Sequence, residues 1–283
     1  MVFKYLWLLW ALCIMGEELG PQSCENGCRL ATTSWTRING GLKHVSVGNS
    51  GVWGVNHKNQ IYYKGNSYGE EESATCEVWV GVSGALKQLD VGKNVVWGVN
   101  VHDYIYYRRG ISATKPKGTD WARIPGALKH VSVSQRGHVW GVNKQDYIYH
   151  RIGASNCNPA GDSWLKLNGR LKQISVGSGG VWGVNSADSI YYRVGTYGDP
   201  PSDPNGSGWK HIAGKLKYIS SADTIYGVNS NNNIYYRVGV SEGTPWGTSW
   251  KKISGGLKQI ESLSCVVWGV NRSDNIYKKK TDG

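Results

Sequence analysis

The chain has 283 residues, enough for one or two ordinary domains, and carries 32 Lys and Arg against 20 Asp and Glu, a net charge of +12 that favours anionic partners. Charge alone does not choose among acidic or phosphorylated glycans, nucleic acid and a membrane surface. No apolar run is long enough to cross a bilayer comfortably, which argues against a membrane-spanning helix.

The first segment differs from all that follows. Lys4 precedes the apolar run Tyr5–Met15, and polar Gly16-Glu17-Glu18 follows. This is the pattern of a secretory signal peptide, with cleavage expected between Gly16 and Gly20. Residues 1–20 are therefore expected to be removed, leaving 21–283 as one secreted, extracellular domain. Phe3, the single phenylalanine, and both methionines fall in this segment, so the mature core must be built from Trp, Tyr, Val, Ile and Leu. Beyond it stand five cysteines, Cys24, Cys28, Cys76, Cys157 and Cys265. In a secreted chain these read as disulfide partners, and their spacing fits no metal site. Asn205 and Asn271 open N-glycosylation sequons.

From Trp35 onward one sentence is spelled six times: W-x-x-[IL]-x-G-x-L-K-x-[IVL], V-W-G-V-N, four residues, I-Y-Y-[RK]. The opening tryptophans are Trp35, Trp79, Trp121, Trp164, Trp209 and Trp250. A period of about 40–45 residues with several strands per unit is the mark of propeller blades. Each unit alternates at period two and is rich in Val, Ile, Trp and Tyr, so four strands are expected per unit. The glycine after each V-W removes a side chain where two sheets must pack closely. The turn after V-W-G-V-N has Asn59, Asp103, Asp146, Asp188, Asn232 and Asp274 at its third position, where Asx side chains hold turns.

The phase of the repeat decides how the ring closes. With L-K-x-I-S-V innermost, V-W-G-V-N is second, I-Y-Y-R third and the next W-x-x-I outermost. The fold expected is all-β: a six-bladed propeller with four antiparallel strands per blade. The strand around Trp35 then completes the sixth blade beside Ile276-Tyr277-Lys278. In the same phase all five cysteines fall on one face. Cys24 and Cys28 are expected to pair with Cys265 and Cys76, in either order. Cys157, across the ring, would stay free or join two molecules as a homodimer, since bonded Cα atoms must lie within about 7 Å.

These repeats resemble the tectonin repeat, and a secreted chain made wholly of six resembles the fish-egg lectins. The resemblance covers roughly residues 30–280. It implies a six-bladed propeller that binds N-acetylglucosamine-type sugars and bacterial surface glycans such as lipopolysaccharide, in innate defence. It brings no short motif for the sugar contacts.

Candidate site residues come from the chain itself. Eleven of the twelve mature tryptophans occupy fixed repeat positions, where blade packing explains them. Trp246, Tyr68 and Tyr197 do not, and stand in long loops, so they are the aromatic candidates for carbohydrate contact. The turn residues Asn56, Asn100, Asn143, Asn185, Asn229 and Asn271 could bond hydroxyls, with turn-capping as their alternative role. The lysines Lys43, Lys87, Lys129, Lys172, Lys217 and Lys258 each open an innermost strand, which places them in a ring near one mouth of the channel. They are anion-site candidates, against a reading in which each merely snorkels to water. A second basic row, Arg108, Arg151, Arg193, Arg237, Lys64 and Lys279, is expected on the outer surface.

No catalytic constellation is present. His44 and His130 occupy places held elsewhere by Gln88, Gln173, Tyr218 and Gln259, and a catalytic residue would not be exchanged so freely. The leading expectation is a non-enzymatic, multivalent lectin with no cofactor, calcium being left open, and with neither nucleic acid nor a membrane span among its partners. A protein-interaction scaffold and a charge-driven polyanion binder are the alternatives.

Overall fold

The computed structural model describes residues 34–70 and 78–281. Among these, 24 strands form six four-stranded antiparallel sheets, each one blade of a β-propeller. The first blade runs from the inside outward as His44–Gly48, Gly51–Val55, Gln60–Lys64 and Trp79–Ala85. The innermost strands of the next five are Gln88–Val91, His130–Val133, Gln173–Gly177, Tyr218–Ser221 and Gln259–Leu263. Each touches the innermost strands on both sides, which makes the central ring.

The sixth blade is assembled from both ends of the chain. Its outermost strand, Thr36–Gly41, pairs with Asn275–Lys280 in the register Thr36 to Lys278, Arg37 to Tyr277 and Ile38 to Ile276. The expected phase and closure are both borne out.

The core lies between blades. At the first junction Trp53 and Ile61 pack against Leu86, Leu89 and Val91 of the second blade, all nearly or fully buried. Burying each such side chain is worth about 1.5–3 kcal/mol. The leucine of every L-K pair drives into this space over the glycine of V-W-G-V-N. A Cβ on Gly54 would lie 2.4 Å from Leu42 Cδ1, and one on Gly183 would lie 2.5 Å from Leu171 Cδ1. The repeat glycine is therefore the seat of the repeat leucine.

A second girdle runs around the perimeter. The outermost tryptophan of each blade donates its indole N–H to a carbonyl at the end of the preceding outermost strand. Trp79 bonds Asn39 O, Trp209 bonds Asn168 O, each at 2.8 Å, and Trp35 bonds Ser254 O at 2.8 Å across the closing junction. The backbone makes room with a left-handed glycine next to that carbonyl: Gly40 has φ 114° and a Cβ there would stand 3.0 Å from the Trp79 ring.

The second basic row is not on the outer surface. Arg108, Arg151, Arg193, Arg237 and Lys64 are all at least nine-tenths buried. Each arginine lies over the outermost tryptophan of its own blade, Arg193 at 5.3 Å from the Trp209 ring centre and Arg237 at 5.1 Å from that of Trp250. Their Nε groups donate to loop carbonyls, as Arg193 does to Asn205 O at 2.8 Å. A planar guanidinium stacks on indole and forks to carbonyls, so it staples loop to strand where a surface role was expected. Lys279, at the same place in the sixth blade, is half-buried.

Cys157, in the loop after the third strand of blade 3, and Cys265, in the first turn of blade 6, are both disulfide-bonded. Cys157 is therefore not free, one of the two outcomes expected for it. Cys24, Cys28 and Cys76, and the signal segment 1–20, lie outside the described residues.

Candidate functional site

The two faces of the ring carry different chemistry. One holds the long loops between third and fourth strands. Tyr197, in the blade 4 loop, and Trp246, in the blade 5 loop, each lie at the junction of those blades. Trp246 is half-buried against the core there, with its ring centre 6.4 Å from that of Tyr192, and the Lys210 ammonium lies 4.6 Å over it. Tyr197 has its phenol pushed up by burial and by the nearby carboxylates Asp223 and Glu242. Tyr68 sits apart, at the junction of blades 1 and 2, and its hydroxyl donates to Asn94 Oδ1 at 2.5 Å. The three loop aromatics therefore define two places, each at a blade junction.

One surface recess escaped the sequence reading. Between blades 3 and 4 an open pocket of about 170 Å³ is lined by Ile148, Gly169, Arg170, Leu171, Tyr191 and Trp209. It is apolar with an arginine at its edge, a combination that suits the apolar face and hydroxyls of a sugar ring. Five of the six stand at fixed repeat positions, of which the sequence reading assigned Trp209 to packing, and Arg170 stands at a variable one that is Gly41, Ala85, Ala127, Lys215 or Gly256 in the other repeats.

The opposite face is built from short turns. Asn56 Oδ1 accepts from the backbone N–H of Lys58 and of Gln60, both at 3.0 Å. Asn100, Asn143, Asn185, Asn229 and Asn271 repeat the pattern in the other blades. Their carbonyl oxygens hold the turns. The Asx residue at the third position is left-handed in all six, from φ 60° at Asp188 to 67° at Asp146.

The six lysines meet these turns. Lys87, Lys129, Lys172 and Lys258 form ion pairs with Asp103, Asp146, Asp188 and Asp274 of their own blades. Lys43 reaches Asn59 Oδ1 at 2.5 Å, and Lys217 reaches Asn232 Oδ1. The Lys43 ammonium is pushed down by partial burial and by Lys87 and Lys258, and that of Lys217 by partial burial and by Arg272. Neighbouring lysines feel one another, as a ring at one mouth requires.

The channel between the faces is closed by polar side chains that alternate around it. In even blades Gln88, Gln173 and Gln259 bond across to the next inner strand. Gln88 Nε2 donates to Val131 O at 2.8 Å while its Oε1 accepts from Val131 N at 3.1 Å, and the other two do the same with Ile219 and Val45. In odd blades His44, His130 and Tyr218 fill the centre, with Tyr218 edge-on to both imidazoles at 6.2 and 5.9 Å. Tyr218 donates to Glu261 Oε1 at 2.6 Å. Burial pushes the Glu261 and Asp90 carboxyls up, and lowers His44 to about 4 and His130 to about 3. Both histidines are therefore neutral near pH 7, and burial disfavours the charged form of both carboxyls. Glu261 and Asp90 stand where four other repeats have serine, which was the available sequence signal.

Among the described residues no group of three His, Cys, Asp or Glu could hold a metal ion, and no helix is long and apolar enough to cross a membrane.

Comparison with known proteins agrees with the repeat reading. The tectonin domain profile matches residues 20–127 and 73–264, so the chain belongs to the tectonin domain family. Among particular proteins, it is 33% identical to the fish-egg lectin of Cyprinus carpio over 105 residues, 36% of this chain and 44% of the carp protein. The alignment thus spans less than half the length of that relative. Human WBSCR16 superposes with a TM-score of 0.54 at 10% identity, covering 86% of this chain and 77% of its own. Prp20p of Saccharomyces cerevisiae does so with 0.52 at 10%, covering 87% and 70%. At such identities these two share the propeller fold alone. Family and relative together make this a lectin-like tectonin propeller and point to a non-enzymatic protein.

Proposed function

We propose that the protein is a secreted, multivalent lectin that binds glycans bearing N-acetylglucosamine, including bacterial lipopolysaccharide, in innate defence. Residues 1–20 serve as its signal peptide and no step of catalysis is involved. The observation that carries this reading is the tectonin family membership together with the likeness to a fish-egg lectin. Sugars would seat at blade junctions. The pocket beside Trp209 and Tyr191, and the Trp246–Tyr197 junction, supply aromatic faces flanked by Arg170 and Lys210. Weak single sites on one ring gain avidity on a microbial surface that offers many copies. A glycan array read at several salt concentrations tests it. A lectin keeps N-acetylglucosamine selectivity in high salt. Loss of all binding with salt would leave a polyanion binder, and absence of binding to any glycan would reject the reading.

A further inference from the structure

The mouth of the channel is not six-fold in charge. Four of its lysines are neutralised by an aspartate of their own blade. The remaining two, Lys43 in blade 1 and Lys217 in blade 5, have an asparagine in the same place, with the same left-handed backbone and the same contact. Both flank blade 6. Within that blade Asp274 meets two partners at once, Lys258 and, at 2.5 Å, the imidazole of His57. Arg272, exposed on the blade 6 turn, adds a further positive charge beside Lys217. On the opposite arc, blades 2, 3 and 4 present three lysines matched by three aspartates.

We propose that the arc of the mouth over blades 5, 6 and 1 is an anion-binding site, formed by Lys43, Lys217 and Arg272, that takes the phosphate or carboxylate groups of an acidic glycan. The part that concerns a glycan rests on the lectin reading; the anion site itself does not. Two half-buried ammonium groups whose direct partner is a neutral amide have lost part of their water without gaining a carboxylate of their own, so they gain most from an incoming anion. The matched arc gains little, because each lysine already has its carboxylate. A ligand with several anionic groups would engage both flanks of blade 6 at once.

The test changes charge without changing the turn. Asn59→Asp with Asn232→Asp makes blades 1 and 5 like the other four, so the fold is kept and the mouth is neutralised. Binding of inorganic tripolyphosphate and of glucosamine 6-phosphate to the mature protein is measured by calorimetry at physiological salt, with neutral N-acetylglucosamine alongside. The double variant should lose about tenfold or more in affinity for both anions, since each new carboxylate competes for the lysine the anion would engage. N-Acetylglucosamine binding and Tm should not move. Lys115→Gln with Lys117→Gln, on the other face, should leave anion binding as it was. Equal anion affinity in the Asn59→Asp, Asn232→Asp variant, or no anion binding by the parent protein, overturns the site. Tripolyphosphate bound at the arc while no sugar binds anywhere would uphold the site and reject the lectin reading instead.

Discussion

The turn face and the loop face of this ring are made from the same repeats and differ in how uniform they are. On the turn face every blade uses a four-residue turn, an asparagine that accepts two backbone N–H groups, and an Asx in the left-handed region. On the loop face the third-to-fourth connections vary in length and sequence, and carry Tyr68, Cys157, Tyr197 and Trp246. The difference follows from what each connection must do. The turns sit beside the narrow centre, where six inner strands crowd together, and a change in one would disturb its neighbours. The loops lie over the wide rim and need only return to an outermost strand already held by its tryptophan. New chemistry therefore enters the turn face by a change of charge, as at Asn59 and Asn232, and the loop face by whole segments.

The largest effect should come from opening the ring. Deleting residues 34–41 removes the outermost strand of blade 6, with the Trp35 bond to Ser254 O and the burial of Ile38. The ring loses its only closure through both chain ends, and the melt should broaden and fall well below that of the parent protein. An unchanged Tm in calorimetry would show that the ends do not hold the ring.

Next is the shared interior that both faces depend on. Gly183→Ala places a methyl 2.5 Å from Leu171 Cδ1 and 2.8 Å from the carbonyl oxygen of Gln173. Overpacking of this kind costs about 1–3 kcal/mol. Gly81→Ala, where nothing lies within 4 Å, should be close to neutral and serves as the control. Chemical denaturation of both variants reads the difference.

The channel plug predicts a smaller, pH-dependent effect. His130 is lowered to about 3 by burial, so its contribution is fully present above the usual histidine range near pH 6.5 and is lost as pH falls towards 3. His130→Gln, which copies the even blades, should flatten the Tm decline between about pH 6.5 and 4. Glu261 has the opposite sign: its carboxyl is raised, so the folded state loses stability as pH rises above the usual carboxylate range. Glu261→Gln should raise Tm at neutral pH more than at pH 4.

The smallest effect belongs to the loop face. Trp246→Ala should weaken N-acetylglucosamine binding several-fold at the blade 4–5 junction. It also uncovers Tyr192, and costs about 1–2 kcal/mol in stability as a half-buried aromatic. Tyr68→Phe, which loses one hydroxyl bond to Asn94, should cost about 1 kcal/mol or less. Comparing the two by glycan binding at matched stability separates a sugar contact from a packing role.

Much of this was legible in the chain, for a physical reason in each case. The period of the tryptophans and the order W-x-x-I before L-K carried the blade count and the closure, because a repeat that buries its faces only against its neighbours must keep its residues in step. The Asx turns were legible because a left-handed residue without a Cβ-free glycine calls for Asn or Asp. The arginine row was misplaced because alternation along a strand tells which side a residue faces, and not that an indole from the next strand will lie under it.

The sequence by itself thus determined the architecture: six blades, their phase, the strand that closes them and the lysine at every inner strand. These follow from local pattern and from the geometry of identical units around an axis. Only the tertiary structure decided what the differences between blades do. It showed that Gln and His or Tyr alternate around the channel, that two glutamate and aspartate side chains are buried in it, that arginines stack on the rim tryptophans, and that Lys43 and Lys217 lack a carboxylate where the other four have one. Such facts depend on residues some 40 positions apart meeting across a junction, and the energy of a charge or an aromatic face is set by what it meets there.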